Sequence, residues 1–294
     1  MCDSLGMVRF GTGSDIPDEG DRVGAYVVGP KLGEGATGAV YRARRSTDGL
    51  EVALKIMKRA LSADPTYLAR FRREARVAAD VQHRNLVSVV EFGEADGVVF
   101  IASQFQDGGS LADLISSEGR LPLADCTRLA AEIAAGLSAL HHHDIVHRDV
   151  KPSNVMLDRQ RSSALTDFGL ARGHAYTVLT RPGQVLGTLD YIAPELIEGK
   201  EATPASDVYA LGCLVYECVT GVTPFSDRGI FEVAVAHIEE EPPDPSERRS
   251  AVSDEFAWAL LRALQKEPAE RPPTAISYAH ILSVSTPTRV SEAE

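Results

Sequence analysis

His147-Arg148-Asp149-Val150-Lys151-Pro152-Ser153-Asn154, followed further on by Asp167-Phe168-Gly169, decides how this chain is read. The two stretches place two carboxylates, a carboxamide and an ammonium at spacings that suit phosphoryl transfer. Asp149 can take a proton from an attacking hydroxyl, while Asn154 and Asp167 can hold Mg²⁺ against the phosphates of ATP. Each short motif alone arises by chance. A full set of such motifs in one order along the chain does not.

Working outward, 294 residues allow two lobes with cores of their own but not several independent domains. Hydrophobic residues at 44% and charged residues at 24% are ordinary for a soluble globular protein. The longest apolar stretch, Val208 to Val219, is interrupted by Glu217 and too short to cross a bilayer, which takes roughly 18 residues. Met1-Cys2-Asp3-Ser4 opens no signal-peptide pattern, so a cytoplasmic location is expected. Cys2, Cys126, Cys213 and Cys218 lack metal-ligand spacing and read as reduced, partly buried thiols. A formal charge of −12 argues against nucleic acid and anionic membrane as partners, since both demand a positive field. Arg70, Arg72, Arg73 and Arg76 stand at helical spacing and read as a solvated face.

Residues 1–25 lack hydrophobic periodicity and read as a flexible extension. Strand-like runs follow at Tyr26–Val28, Ala39–Ala43 and Glu51–Ile56, separated by turn residues. Asp64-Pro65 opens a helical stretch through Leu68, Phe71, Ala75 and Ala78. Val87–Phe92 and Val98–Ala102 read as two more strands around an Asp96-Gly97 turn, and beyond Asp107 the chain becomes helical through Leu111–Ile115 and Ala124–His141. Trp258, on a helix with Phe256, Leu260, Leu261 and Leu264, reads most simply as core. The expected architecture is α+β, a β-rich lobe over about 26–106 and a helical lobe over about 107–283, with a disordered tail at 284–294.

Leu32-Gly33-Glu34-Gly35-Ala36-Thr37-Gly38-Ala39-Val40 lies between two strand candidates, and its glycines let backbone N–H groups approach phosphates. A dinucleotide fold would need a helix directly after it. Ala39-Val40-Tyr41 continues as a strand, and the GK[ST] ending of a P-loop is absent. Val52-Ala53-Leu54-Lys55 puts one lysine near a strand end, and Glu74 on the next helix is a candidate partner for it. His141-His142-His143 invites a metal reading that consecutive helical positions do not favour, because they point in different directions.

Taken together, the chain from about Tyr26 to Leu282 resembles the protein kinases, and within them the eukaryotic-like serine/threonine kinases of bacteria. The resemblance implies the two-lobed protein kinase fold and transfer of the γ-phosphate of ATP, with Mg or Mn, to serine or threonine hydroxyls. It implies that Asp149 is the base, that Lys151 touches the transferring phosphoryl group, and that Asn154 and Asp167 are metal ligands. The implied ATP contacts are Leu32, Gly33, Glu34, Gly35, Ala36, Thr37, Gly38, Val40, Ala53, Lys55 with Glu74, Ser103, Gln104, Phe105, Gln106 and Met156. Lys151 followed by Pro-Ser-Asn looks like the serine/threonine branch. Gly187-Thr188 and Ala193-Pro194-Glu195 resemble the end of an activation segment, with Thr188 docking substrate and Glu195 pairing Arg271. Asp207 resembles the carboxylate that anchors the catalytic loop. Arg148 would bind a phosphate placed on Thr180 or Thr177. Thr37 and Ser103 depart from the family's usual larger residues, and neither change removes a group that the chemistry needs. The implied partners are protein substrates and a second copy for phosphorylation in trans. On this reading the chain is either a complete soluble kinase or the catalytic part of a larger one. A pseudokinase would have lost the lysine, the base or the metal aspartate, and a small-molecule kinase of this fold would lack the Ala-Pro-Glu end.

Overall fold

Val52, Leu54 and Ile56 are buried while Glu51, Ala53 and Lys55 between them are only half-buried, the two-residue period of a strand with one face in a core. In the computed structural model, which describes residues 17–35, 38–58, 68–69, 72, 79–95, 97–168 and 189–286, this segment is β4 (Glu51–Met57) of a six-stranded antiparallel sheet. The other strands are β1 (Arg22–Val23), β2 (Tyr26–Glu34), β3 (Gly38–Arg45), β5 (Val89–Ala95) and β6 (Val98–Gln104), in the spatial order β1-β2-β3-β4-β6-β5. One face closes over Tyr26, Tyr41, Leu54 and Phe100, with the Tyr26 and Phe100 rings edge to face at 5.7 Å. Gly38 is demanded by packing, because a Cβ there would lie 1.9 Å from the Ile56 carbonyl oxygen. Apart from His83–Leu86, residues up to Gln106 form this unit.

The expected loose extension is shorter than its sequence suggests. Val23 is 1% exposed and β1 pairs with β2, a hairpin that Gly24 closes at φ +56°. Two residues are too few to show a hydrophobic period.

His83–Leu86 join the residues from Asp107 in a second, helical unit. Its helices are α1 (Leu111–Glu118), α2 (Leu123–His141), α3 (Pro194–Ile197), α4 (Pro204–Thr220), α5 (Ile230–Glu239), α6 (Pro245–Arg248), α7 (Asp254–Leu261) and α8 (Ala275–Val284). Thr203 and Pro204 start α4, and Gly221 ends it in the left-handed conformation at φ +84°. Every residue from Ser206 to Tyr216 is buried, so α4 is enclosed on all sides and forms the centre of the unit. A short hairpin, β7 (Val155–Leu157) and β8 (Ser163–Leu165), leads from the Asp149 loop to Asp167. At the C-terminal end, Thr286 bonds Thr127 at 2.9 Å, so described structure extends past the expected start of the tail.

Trp258 is not core. Phe256 and Leu260, one helical turn apart on α7, are buried, and Trp258 lies two positions from each, about 200° around the helix. It is 60% exposed, with the Arg262 guanidinium 5.6 Å from its ring centre. Cys126, Cys213 and Cys218 are buried free thiols, and burial pushes Cys126 up to about 12. Among the described residues, no helix is long and apolar enough to cross a membrane.

Candidate active site

The buried carboxylate of Asp207, projecting from α4, organises the loop that carries Asp149. Its Oδ2 accepts the His147 N–H at 2.8 Å and its Oδ1 accepts the Arg148 N–H at 2.9 Å. His141 Nε2, at the end of α2, reaches Oδ2 at 2.8 Å. Arg148 sits at φ +67°, an uncommon conformation for a side chain of its size, and the Asp207 bond on its amide holds it there. The His147 ring is buried, and burial keeps its pKa below the usual imidazole value despite Asp207, Asp149 and Asp167 nearby. Its two contacts select one neutral tautomer: Nδ1 accepts from the Asp149 N–H at 3.3 Å, and Nε2 donates to the Thr166 carbonyl at 3.2 Å.

Asp149, Asn154 and Lys151 meet within hydrogen-bond distance. Asn154 Nδ2 donates to the Asp149 carbonyl at 2.8 Å and to Asp149 Oδ2 at 2.9 Å, and Lys151 Nζ lies 2.9 Å from the same Oδ2. Both amide hydrogens of Asn154 are thereby used, and its Oδ1 is the atom left to act as a cation ligand. The Thr166 N–H donates to the Asn154 carbonyl at 2.9 Å, which fixes the start of the Asp167 turn beside the loop. Asp167 itself is at φ +60°, a conformation aspartate tolerates better than most residues. Among the described residues no three His, Cys, Asp or Glu form a metal cage. Asn154 Oδ1 and the Asp167 carboxylate are oxygen donors of the kind that Mg²⁺ takes when phosphate and water supply its other ligands.

In the first unit, strand register places the other expected residues on one face. Lys55 is opposite Val40 and Ile101, and Ala53 is opposite Arg42 and Ser103, so Val40, Ala53, Lys55 and Ser103 share the face away from the Tyr26–Leu54 core. Gly33 and Gly35 lie in open space, where a Cβ would meet nothing within 4 Å. Packing does not require glycine at either position, and the bare backbone there suits the approach of a phosphate. Glu34 is paired with Lys31 and, at 3.9 Å, with Lys58. The Gln104 N–H is taken by the Ser88 carbonyl at 2.9 Å, and Arg42 lies over the Phe105 ring at 4.9 Å. Met156, half-buried in β7, and Gln106 are described, whereas Ala36, Thr37, Glu74, Thr177, Thr180 and Thr188 lie outside the described residues.

Glu195 and Arg271 meet as expected, in a bidentate pair at 2.8 and 2.7 Å with both side chains buried. Two further groups escaped the sequence reading. The Tyr191 hydroxyl donates to Glu217 Oε2 at 2.5 Å, and burial raises the Glu217 carboxyl above its ordinary value. Both line a groove of about 560 Å³ in the second unit that runs from Lys151 past Pro152 and Ser153 to Ile115 and Gly119 on one side and Gly221 on the other. Glu217 was legible only as the charge interrupting an apolar run.

The family model of the protein kinase domain matches residues 26–282. The chain belongs to the protein kinase family. Among its relatives, serine/threonine-protein kinase pkn3 of Myxococcus xanthus is 36% identical over 278 residues, covering 89% of this chain and 51% of that protein. PknB of Mycobacterium leprae is 36% identical over 255 residues, covering 85% of this chain and 41% of PknB. The chain thus spans about half, or less, of these curated relatives. The PknI kinase domain of Mycobacterium tuberculosis superposes with a TM-score of 0.72 at 28% identity, covering 91% of this chain and 98% of that one. The β-rich unit followed by a helical unit is the protein kinase fold.

Proposed function

We propose that this protein kinase domain, spanning 26–283, is catalytically active and transfers the γ-phosphate of ATP to serine or threonine hydroxyls of proteins. The observation that carries this reading is the Asp149–Asn154–Lys151 constellation hung from Asp207, in a chain whose relatives are named serine/threonine-protein kinases. Asp149 accepts the proton of the acceptor hydroxyl as the new O–P bond forms and the bond from the γ-phosphorus to the bridging oxygen breaks, leaving ADP. Asn154 keeps the Asp149 carboxylate from turning away, and Lys151 places positive charge beside the phosphoryl group. Leu32 to Gly38, Val40, Ala53, Lys55 with Glu74, Ser103 to Gln106 and Met156 bind ATP. Asn154 and Asp167 would hold the metal, Mg²⁺ or Mn²⁺, which when bound offsets phosphate charge. The partners are cytoplasmic protein substrates and a second copy of the chain, with Thr188 docking the acceptor. Incubation with radiolabelled ATP, a generic protein and a panel of small-molecule acceptors tests this. Label in serine or threonine of protein is expected, and label only in small molecules, or none, overturns it.

Ser103 adds a prediction. A small side chain there leaves room behind the adenine that a larger one would fill. A benzyl-sized group on an inhibitor buries roughly 100 Å² of apolar surface, worth about 2.5 kcal/mol, or on the order of 70-fold in affinity. Ser103→Met should remove that gain and spare ATP use. Equal inhibition constants for the two proteins would move the adenine site elsewhere.

Regulation follows from Arg148. A phosphate on Thr180, with Thr177 the second choice, carries about −1.5 to −2 charges and can make charge-assisted bonds to the Arg148 guanidinium. Thr177→Ala/Thr180→Ala should lower activity about tenfold with little change in melting temperature. Mass spectrometry of active protein against Asp149→Asn protein should find phosphate on these threonines only in the former. Active protein bare at both positions would end the proposal.

A further inference from the structure

We propose that His237 is a positioning residue for the acceptor: from α5 it holds the turn Leu189–Tyr191, and so the Tyr191 wall of the groove that begins at Lys151. The kinetic arm of this proposal rests on the kinase reading above.

The histidine is fixed by several neighbours at once. It is 0% exposed, and its Nδ1 lies 2.8 Å from the Tyr209 hydroxyl of α4. The Tyr209 and Phe225 rings meet the imidazole edge to face, with centres at 5.6 and 4.9 Å. Lys266 Nζ donates to the Ala236 and His237 carbonyls at 3.0 and 2.9 Å, which closes the C-terminal end of α5. Nothing in the phosphoryl chemistry uses this cluster. Nε2 makes no hydrogen bond of full geometry among the described residues, and the backbone group that bears on the ring is that of Asp190.

Burial, and then the Lys266 charge, hold the imidazole down to about 3, so at neutral pH it carries a single hydrogen. The Asp190 backbone pulls the other way and favours the protonated ring, which an acceptor does and a donor does not. The Asp190 carbonyl therefore calls for the hydrogen on Nε2, and the Tyr209 hydroxyl then donates to Nδ1. A buried N–H left unmet is costly, so this carbonyl is drawn toward α5, against which its turn packs. Tyr191 comes next in the chain. Its hydroxyl is fixed to Glu217 Oε2 at 2.5 Å, and a ring held at its tip alone can still swing. His237 supplies the second point, on the backbone side. Tyr191 lines the groove with Lys151, Pro152 and Ser153, so an acceptor chain whose hydroxyl reaches Asp149 lies against this wall. None of the residues assigned to ATP belongs to this turn.

Glutamine and asparagine separate this role from mere packing. The glutamine amide nitrogen reaches as far as the imidazole Nε2, whereas asparagine stops at the position of Nδ1 and can answer only Tyr209. In the full chain, with casein as the acceptor, His237→Asn should raise KM for casein about tenfold. Its kcat and its KM for ATP should change less than about twofold, since only the acceptor wall is misplaced. His237→Gln should keep KM for casein within about twofold of wild type. Hydrogen exchange gives a second readout at the Ile192 amide, which closes the turn on the Leu189 carbonyl at 3.1 Å. It should speed up about tenfold with asparagine and remain near wild type with glutamine. Wild-type KM and exchange in His237→Asn would overturn the proposal, as would glutamine and asparagine variants that behave alike. Should neither histidine variant fold, Tyr209→Phe decides. It keeps the ring and removes the hydroxyl that fixes Nδ1, so KM for casein should rise about threefold, and an unchanged value would end the proposal. Exchange is read without ATP, so an inactive wild-type protein would refute the kinase reading and leave this one to the Ile192 amide.

Discussion

Turnover should fall on the order of 100-fold or more when Asp149 or Asp167 is replaced by asparagine, with the fold retained. Each substitution keeps size and shape and removes the charge. At Asp149 the carboxylate holds Asn154 Nδ2 at 2.9 Å and Lys151 Nζ at 2.9 Å, so asparagine removes both the proton acceptor and the partner of Lys151. At Asp167 the backbone matters as well. Its φ of +60° is tolerated by asparagine but costs alanine roughly 1 kcal/mol or more. Asp167→Asn is therefore the cleaner test of the metal-ligand role, and Asp167→Ala should lose stability in addition to rate. Lys55→Met should lower activity on the same scale from the ATP side. These roles are what the family resemblance implies, and Asp149, Asn154 and Lys151 meet within hydrogen-bond distance. The measurement is kcat at saturating ATP alongside thermal unfolding of each variant. Wild-type turnover in Asp167→Asn would remove the active site from where it is placed.

The strands β3 and β4 were legible because Tyr41, Ala43, Val52 and Leu54 alternate with half-buried or exposed neighbours on a sheet with one packed face. The catalytic loop was legible because its chemistry is carried by consecutive residues. What the sequence concealed depends on contacts between distant residues. No local pattern links Tyr191 to Glu217 or tells which nitrogen of His147 carries its hydrogen. Trp258 reads as core because Phe256, Leu260, Leu261 and Leu264 suggest a stripe, yet at 3.6 residues per turn Phe256 and Leu260 lie on the opposite side of the helix from it. His141 stands in sequence only as the first of three consecutive histidines. Its place on Asp207 became visible only when α2 and α4 were seen side by side.

Among the described residues, the buried Glu195–Arg271 pair should give one of the largest stability losses of any single substitution. Arg271 donates through Nη1 and Nη2 to the two oxygens of Glu195, and to the carbonyls of Ala205, Gln265 and Lys266. Ser206 Oγ adds a third bond to Glu195, at 2.7 Å. Burial alone would raise the Glu195 carboxyl, but Arg271 and then Ser206 outweigh it and hold it below the ordinary value. Arg271→Met strands a carboxylate inside the unit and leaves three carbonyls without this donor. Breaking such a pair costs about 3–5 kcal/mol, a drop on the order of 10 °C in melting temperature for a domain of this size. Glu195→Gln keeps the shape and should cost less than Arg271→Met. Adding Glu195→Gln to Arg271→Met should restore part of the loss, because the stranded charge is then gone. The pH dependence has a fixed sign. A carboxyl lowered on folding contributes fully above its ordinary value, near 4.5, and loses that contribution as pH falls toward its folded value. Stability measured by denaturant should therefore fall more steeply below pH 4.5 in the wild type than in Glu195→Gln. Arg271→Met with wild-type stability would mean that the pair is not buried as described, and that Glu195 does not tie α3 to the end of the domain.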